Sequence, residues 1–196
     1  MKDPARSKTR LRVAMSCAPR AAVARRLLRR TLDLMLPLRD ASVCDLAVVT
    51  VSAEVKAQAR ERSIPVIEEG SEDGLNMAVG TAATYACRQG YDALCVLPAD
   101  LVAPDPEDIR SLIEHRAPNT VTVCPSVDMG TNALVVSPPD GIDFCYGPCS
   151  AQKHVAAAHA AGYSARMIPL ESLRHDLDTA DHLSRATALV PELVAL

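Results

Sequence analysis

The sequence predicts a single α/β domain, covering residues 1–196, built around a mostly parallel β-sheet. Short apolar runs bounded by turn residues alternate with longer segments of helical pattern, as expected when strands and helices alternate. No internal repeat and no linker-like segment interrupts this alternation. The run at residues 93–97 contains no polar side chain, which is typical of a strand buried on both faces.

The predicted elements of the first half follow from apolar periodicity and from residues that start or end helices. Ser16 is a predicted N-cap, and the apolar side chains after it fall on one helix face. Gly90 is typical of a residue that ends a helix. In order, we predict a basic loop at 2–11, a helix at about 19–35, a strand at 46–51, a helix at 53–62, a strand at 65–67 and a helix at 75–89.

The second half is predicted in the same way. Asp105 followed by Pro106 is typical of a helix start, and Gly162 of a helix end. The run that contains Pro169 predicts an edge strand, because proline is tolerated there. In order, we predict the strand at 93–97, a helix from 106 to about 115, strands at 120–124 and 133–136, a helix at 150–161, a strand at 166–170 and a helix from 179 to about 189.

Composition bounds the class of protein. The chain has 196 residues, of which 48% are hydrophobic, and this is enough for one compact domain with a sizeable core. No apolar run is long enough to cross a bilayer, and no signal-peptide pattern follows the N-terminus. We therefore expect a cytoplasmic protein with no membrane partner. The seven cysteines form no Cys-x-x-Cys pair, so reduced thiols are expected rather than a zinc site.

Charge is distributed unevenly along the chain. Residues 1–39 carry eleven Lys or Arg and two acids, whereas the remainder carries ten basic and twenty-two acidic residues. A basic end on an acidic body predicts one anion-binding region. No aromatic or glycine-rich recognition motif accompanies these charges, so a nucleic acid is not expected. A small polyanion such as a nucleotide fits the pattern better.

Acidic residues stand where open α/β sheets bind their ligands. Asp100 follows the predicted central strand, and a carboxylate there is a natural anchor for a divalent cation. The alternative is a turn cap, and position alone does not decide between the two. Asp176 and Asp178 flank an apolar residue, so they would share one face of a strand. One of them could complete a Mg²⁺ site with Asp100; the alternative is that Asp178 or Thr179 only caps the last helix.

Three loops could contact an anion. The N-terminal loop carries several cations that could neutralise a triphosphate, although the sequence alone favours the alternative of a frayed basic terminus. Residues 128–132 offer the side chains of Thr131 and Asn132, and the alternative is a hairpin turn. Residues 146–150 precede a helix, where backbone N–H groups and the Ser150 hydroxyl could hold a phosphate or carboxylate. The alternative is that Ser150 is simply an N-cap.

Taken together, these motifs resemble the CofC/FbiD family, the guanylyltransferases of coenzyme F420 biosynthesis that act on 2-phospho-L-lactate or phosphoenolpyruvate. The resemblance runs nearly end to end. Its more specific parts are the Gly-Thr-Asn-Ala-Leu motif and the Gly-Pro-x-Ser motif followed by a histidine. The matching segments are Lys2 with Lys8-Thr9-Arg10-Leu11, Gly74-Leu75-Asn76, residues 97–101, residues 130–134, residues 146–150 with His154, and Asp176-Leu177-Asp178-Thr179.

The resemblance implies a Rossmann-like (GT-A-like) three-layer nucleotidyltransferase. The enzyme would transfer GMP from GTP to 2-phospho-L-lactate, phosphoenolpyruvate or 3-phosphoglycerate and release pyrophosphate, with Mg²⁺ as cofactor. A homodimer is a further hypothesis. The residue roles that the resemblance implies are Asp100, Asp176 and Lys2 in catalysis; Asp100 and Asp176 on the metal; Thr131, Gly147 and Ser150 on the acceptor acid; and Lys8, Arg10, Gly74 and Asn76 on the nucleotide.

The sequence also departs from the family pattern. The first strand of the family should precede Lys2 and is absent, and Cys149 replaces a glycine of the acceptor loop. Asp128-Met129 stands where the family usually has glycine. Two alternatives remain open, a related sugar or cofactor nucleotidyltransferase or glycosyltransferase-like protein, and a degenerate nucleotide-binding protein without turnover.

Overall fold

The computed structural model of the chain describes residues 3–68 and 74–193. The predicted site residue Lys2 lies outside these ranges. The helices are α1 (Cys17–Asp40), α2 (Ala53–Glu61), α3 (Leu75–Arg88), α4 (Pro106–Glu114), α5 (Ser150–Ala160) and α6 (Ala180–Leu189). The strands are β1 (Val48–Thr50), β2 (Val66–Glu68), β3 (Leu94–Val96), β4 (Thr120–Pro125), β5 (Thr131–Ser137) and β6 (Ser164–Met167).

The strands form two sheets, and the α/β class is confirmed. Strands β1 and β2 pair in parallel, and the second sheet has the order β3-β5-β4-β6. In that sheet β4 and β6 are parallel, whereas β5 is antiparallel to both of its neighbours. Residues 126–130 join β4 directly to β5, so the hairpin alternative describes this segment. A connection this short permits only antiparallel pairing, because a parallel pair needs a crossover of a dozen or more residues.

Helices cover both faces of the four-stranded sheet. On one face, Val135 of β5 packs in a cluster with Leu38 of α1 and Leu112 of α4. On the other face, Leu134 of β5 packs in a cluster with Ala151 of α5. Adjacent residues of β5 therefore pack in clusters on opposite faces of the sheet, because successive side chains of a strand point to opposite faces. Helix α3 contacts both β1 and β3, and so lies against both sheets.

Strand β3, the predicted central strand, is less buried than expected. Its three residues are each partly exposed, whereas all six residues of β4 are buried. Within the described residues, β3 pairs with β5 alone, so it has a neighbouring strand on only one side. The sequence pattern identifies the strand correctly but overestimates how far it is enclosed.

Several boundaries differ from the prediction. Helix α1 continues past residue 35 to Asp40, because its buried stripe continues through Leu38. The predicted N-terminal loop contains two 3-10 helices, Pro4–Arg6 and Thr9–Val13. The predicted edge strand begins and ends earlier, as β6. No helix among the described residues is long and apolar enough to cross a membrane.

Candidate active site

Three carboxylates converge at the end of the four-stranded sheet where β3 ends. One oxygen of each of Asp100, Asp176 and Asp178 lies within 4.8 Å of the others. Backbone pairing holds the two segments together, with Leu101 bridged to Asp176 in antiparallel fashion. The Leu177 N–H donates to the carbonyl of Asp100 at 3.1 Å. The predicted pair of Asp100 and Asp176 is therefore brought together, and Asp178, which the sequence left as an alternative, joins it.

Buried leucines next to the acids determine the direction in which the acidic side chains point. Leu101 and Leu177 are 1% and 0% exposed. Leu177 packs in the same cluster as Val102 and Leu11. Because successive side chains of an extended segment point to opposite sides, burial of Leu177 turns Asp176 and Asp178 to the same side. The shared face that the sequence predicted is therefore present.

Lys8 contacts two of these acids. Its ammonium group is in direct contact with a carboxylate oxygen of Asp100 and lies 3.1 Å from Oδ1 of Asp178. Only 6% of the Lys8 side chain is exposed. Burial lowers the pKa of Lys8, but the negative charges of Asp100 and Asp178 outweigh that effect and raise the pKa above its ordinary value. Lys8 is therefore a charged lysine that balances the acidic cluster.

The loop around Lys8 is anchored from α1. Lys8 has a left-handed backbone, with φ of 54°, between the two 3-10 helices. The guanidinium of Arg20, which is 4% exposed, donates to the carbonyl of Ser7 at 2.7 Å. Arg10, the other predicted nucleotide residue of this loop, is 76% exposed and lies 3.9 Å from Asp178. The loop therefore holds Lys8 on the carboxylates and leaves Arg10 facing solvent.

The acidic cluster has the properties of a magnesium site. Burial raises the pKa of Asp176, and the charges of Asp100 and Asp178 raise it further, so negative charge is in excess at this point. Mg²⁺ prefers hard oxygen ligands, often one or two carboxylates completed by substrate phosphates. The ammonium of Lys8 already sits between two of the carboxylates as a cation would. The residues present therefore fit a Mg²⁺ ion.

A second group of polar side chains lies at the start of β5 and α5. Oγ1 of Thr131 is 2.9 Å from Oγ of Ser150 and 3.0 Å from Nδ1 of His154. Gly147 has φ of 129°, which favours glycine, and its carbonyl accepts from the Ser150 N–H at 3.1 Å. The three residues predicted to bind the acceptor therefore lie together. Thr131 and Ser150 are in contact although they are 19 residues apart in the chain.

The start of α5 differs from the alternative in which Ser150 is simply an N-cap. Cys149, not Ser150, is the N-cap, and it has a left-handed backbone with φ of 55° and no capping side-chain bond. The N–H of Ser150 donates to Gly147, and the N–H of Ala151 donates to the carbonyl of Met129 at 3.1 Å. These two N–H groups are used within the protein, because the loop folds back on the helix end. The Ser150 hydroxyl is directed to Thr131 instead of capping the helix.

The predicted nucleotide residues Gly74 and Asn76 lie at the start of α3. Gly74 is the N-cap and has φ of 103°. Oδ1 of Asn76 accepts from the N–H of Tyr146 at 2.7 Å, so α3 is tied to the loop that carries Gly147. A cavity of about 350 Å³ opens beside Asn76 and reaches Phe144. Asn76 therefore lines a space next to the loop of residues 146–150.

A second cavity, of about 170 Å³, joins the acidic segment to the β4–β5 hairpin. Asp176 and Asp128 both line it. Basic side chains from two segments of the chain, residues 174–175 and helix α6, also line this cavity. They are Arg174, His175, His182 and Arg185. His154 was noted only as part of a motif, although its position one helical turn after Ser150 predicts that the two share a face.

Comparison with known proteins identifies the family. The model of the family described as "Guanylyl transferase CofC like" matches residues 1–186. A 3-phospho-D-glycerate guanylyltransferase from Colwellia psychrerythraea is 34% identical over 187 residues, covering 93% of this chain and 86% of the relative. A phosphoenolpyruvate guanylyltransferase from Rubrobacter xylanophilus is 32% identical over 185 residues, covering 93% and 88%.

Solved structures agree on the fold. A crystal structure from Desulfovibrio desulfuricans G20, named as a nucleotide-diphospho-sugar transferase, superposes with a TM-score of 0.76 at 17% identity, covering 99% of this chain and 94% of that one. A CMP:2-keto-3-deoxy-manno-octonic acid synthetase in complex with CTP gives a TM-score of 0.59 at 11% identity, covering 85% and 88%. The family match over residues 1–186 and the 34% identity to the Colwellia relative show that the chain belongs to the CofC-like guanylyl transferase family, a class of nucleotidyltransferases.

Proposed function

We propose that this chain transfers GMP from GTP to a small phosphorylated carboxylic acid and releases pyrophosphate. The candidate acceptors are 3-phosphoglycerate and phosphoenolpyruvate, the acids in the names of its relatives, and 2-phospho-L-lactate. The observation that carries the proposal is the cluster of Asp100, Asp176 and Asp178 with the charged Lys8. It provides carboxylates for a metal and a cation for phosphates in one place.

The reaction needs no covalent enzyme intermediate. An oxygen of the acceptor phosphate attacks the α-phosphorus of GTP and forms a new P–O bond. The bond between the α-phosphorus and the bridging oxygen breaks, and pyrophosphate leaves with the electron pair. Both reactants are anions, so the work of the protein is to position them and to offset their charge.

The residues divide this work between them. Asp100 and Asp176, with Asp178 beside them, would hold Mg²⁺, which when bound offsets the charge of the nucleotide phosphates. The ammonium of Lys8 pairs with phosphate oxygens once the carboxylates have another cation, and Arg10 offers an exposed guanidinium in the same loop. Lys2 is proposed to contribute a further positive charge. Thr131, Gly147 and Ser150 orient the acceptor, and Gly74 and Asn76 border the nucleotide.

The product would be an acid activated by a phosphoanhydride bond to GMP. Such an activated acid is what the resemblance implies for coenzyme F420 biosynthesis, and we include that pathway in the proposal. The cytoplasmic location and the homodimer stay predictions.

The decisive experiment combines the purified protein with GTP, Mg²⁺ and each of the three acids separately, and measures pyrophosphate release. CTP in place of GTP tests the choice of base. We expect release with GTP and at least one acid, and its loss in Asp100→Asn. Asp92→Asn is the matched control, because that side chain is 82% exposed on the protein surface. GTP binding without release with any acid would support the alternative of a nucleotide-binding protein without turnover.

A further inference from the structure

His154 is a fully buried histidine with both ring nitrogens in contact with polar groups. It lies on α5, one turn after Ser150, and is 0% exposed. Its Nδ1 is 3.0 Å from Oγ1 of Thr131, and its Nε2 is 3.0 Å from the backbone nitrogen of Cys145. The ring of Tyr146 packs edge-on against it, with 4.8 Å between ring centroids. The ring is therefore held on several sides.

The contact with Cys145 determines where the ring proton sits. A backbone N–H can only donate, so Nε2 of His154 must accept and carries no proton. Burial lowers the pKa of His154 to about 4, and the ring is therefore neutral at neutral pH. A neutral imidazole has one proton, which in this arrangement is on Nδ1. His154 therefore donates to Thr131.

The hydroxyl groups of Thr131 and Ser150 have one proton that is available to a ligand. Oγ1 of Thr131 accepts from His154 and from the Ser150 hydroxyl, so both of its lone pairs are used. Its own proton has to point elsewhere. Ser150 is 1% exposed, whereas Thr131 is only partly buried, so the remaining proton is on the accessible member of the pair.

We propose that His154 is a positioning residue that commits the Thr131 hydroxyl to act as a hydrogen-bond donor, and that this donor binds an anionic oxygen of the acceptor acid. The inference rests on the proposed function for the identity of the acid, but not for the arrangement of protons. Phosphate and carboxylate oxygens share the required chemistry, since both only accept. A ligand that offers an N–H or O–H at this point would find no acceptor on Thr131 and is disfavoured.

The proton arrangement is tested without any substrate. Nitrogen-15 NMR of the imidazole side chains, with His154→Gln used to assign the signals, reports which ring nitrogen carries the proton. We expect a neutral His154 with the proton on Nδ1 throughout the range of about pH 6 to 8. A proton on Nε2, or a charged ring at pH 7, overturns the proposal. This measurement stands even if the chain shows no transferase activity.

The positioning role is tested by a double-mutant cycle. Thr131→Val and His154→Phe are each expected to raise the KM for the acid by about 10- to 100-fold, the effect of losing one hydrogen bond to a charged group, while the KM for GTP changes less than about twofold. The double variant should be no worse than the more damaged single variant, because His154 acts through Thr131. Multiplied losses in the double variant overturn the positioning role.

Two further variants guard against a purely structural explanation. His154→Gln retains an amide donor and is expected to keep more of the affinity for the acid than His154→Phe. His159→Gln, on the exposed side of the same helix, is the matched control and should leave both KM values unchanged. If His154→Phe does not fold, the His154→Gln and Thr131→Val pair completes the cycle.

Competition separates the two sources of the anionic oxygen. Inorganic phosphate and the unphosphorylated acid are used as separate inhibitors of the wild-type protein and of Thr131→Val. We expect Thr131→Val to weaken inhibition by one of them by about tenfold, and that one identifies the oxygen that Thr131 binds. Equal inhibition of both proteins by both compounds overturns the proposal.

Discussion

Replacing Lys8 by Met tests whether this lysine and Mg²⁺ compete for the same carboxylates. The substitution keeps an apolar stem and removes the charge that lies 3.1 Å from Asp178 and in contact with Asp100. Breaking a buried ion pair costs about 3–5 kcal/mol, and breaking an exposed one costs about 0–1 kcal/mol. Here the lysine is 6% exposed, but Asp100 and Asp178 are 28% and 40% exposed. We therefore expect the free energy of unfolding without metal to fall by ~2 kcal/mol.

The same change should strengthen metal binding. In the wild-type protein Mg²⁺ has to displace Lys8 from Asp100 and Asp178, and in the variant it does not. A saving of ~2 kcal/mol corresponds to a dissociation constant lower by about 30-fold. Because Lys8 has already been displaced in the metal-bound wild type, saturating Mg²⁺ should also close most of the stability difference between the two proteins.

Urea unfolding with EDTA or with excess MgCl₂, together with calorimetric titration of Mg²⁺, measures both effects. Arg10→Met is the control, because Arg10 is 76% exposed and 3.9 Å from Asp178. It should change the free energy of unfolding by less than about 0.5 kcal/mol. If Lys8→Met binds Mg²⁺ no more tightly than the wild type, or if the stability difference persists at saturating Mg²⁺, the competition between Lys8 and the metal is refuted.

Three further predictions concern the acids, the buried histidine and the acceptor loop. Asp100→Asn should lower kcat/KM by about 10³-fold while circular dichroism stays unchanged, because a metal ion contributes several kcal/mol; activity near wild type would remove Asp100 from the site. Unfolding free energy should fall as pH drops from 6.5 to about 4, by up to ~1.4 kcal/mol per pH unit, because unfolded histidine gains a proton that buried His154 does not. The stability of His154→Gln should depend less on pH in that window, and equal slopes in urea titrations would contradict this reasoning. Cys149→Gly should raise the free energy of unfolding by ~0.5–1 kcal/mol, because the φ of 55° at Cys149 favours glycine. An unchanged urea midpoint would argue against strain at this residue.

Local patterns were sufficient to predict where the acids stand. Asp100 was predicted from the end of an apolar run, and the shared face of Asp176 and Asp178 from a period of two. Their meeting was a hypothesis that local patterns could not decide, because it depends on the pairing of Leu101 with Asp176, far apart in the chain. The contact of Lys8 with Asp100 spans 92 residues and leaves no local signal.

The antiparallel direction of β5 places the proposed acceptor residue Thr131 and the acids at one edge of the sheet. Val96, at the end of β3, pairs with Leu134, near the start of β5. Thr131, at the start of β5, therefore lies at the same edge of the sheet as Asp100, which follows the end of β3. The hairpin register, which pairs Pro125 with Thr131, adds the end of β4 to the same edge. Had β5 run parallel to β3, as in an all-parallel sheet, Thr131 would lie at the opposite edge, and a small acid could not contact it while facing a nucleotide at Asp100. The mixed pairing of this sheet is thus a requirement of the proposed reaction, and a variant that keeps the fold but loses Thr131 should lose the acid and retain the nucleotide.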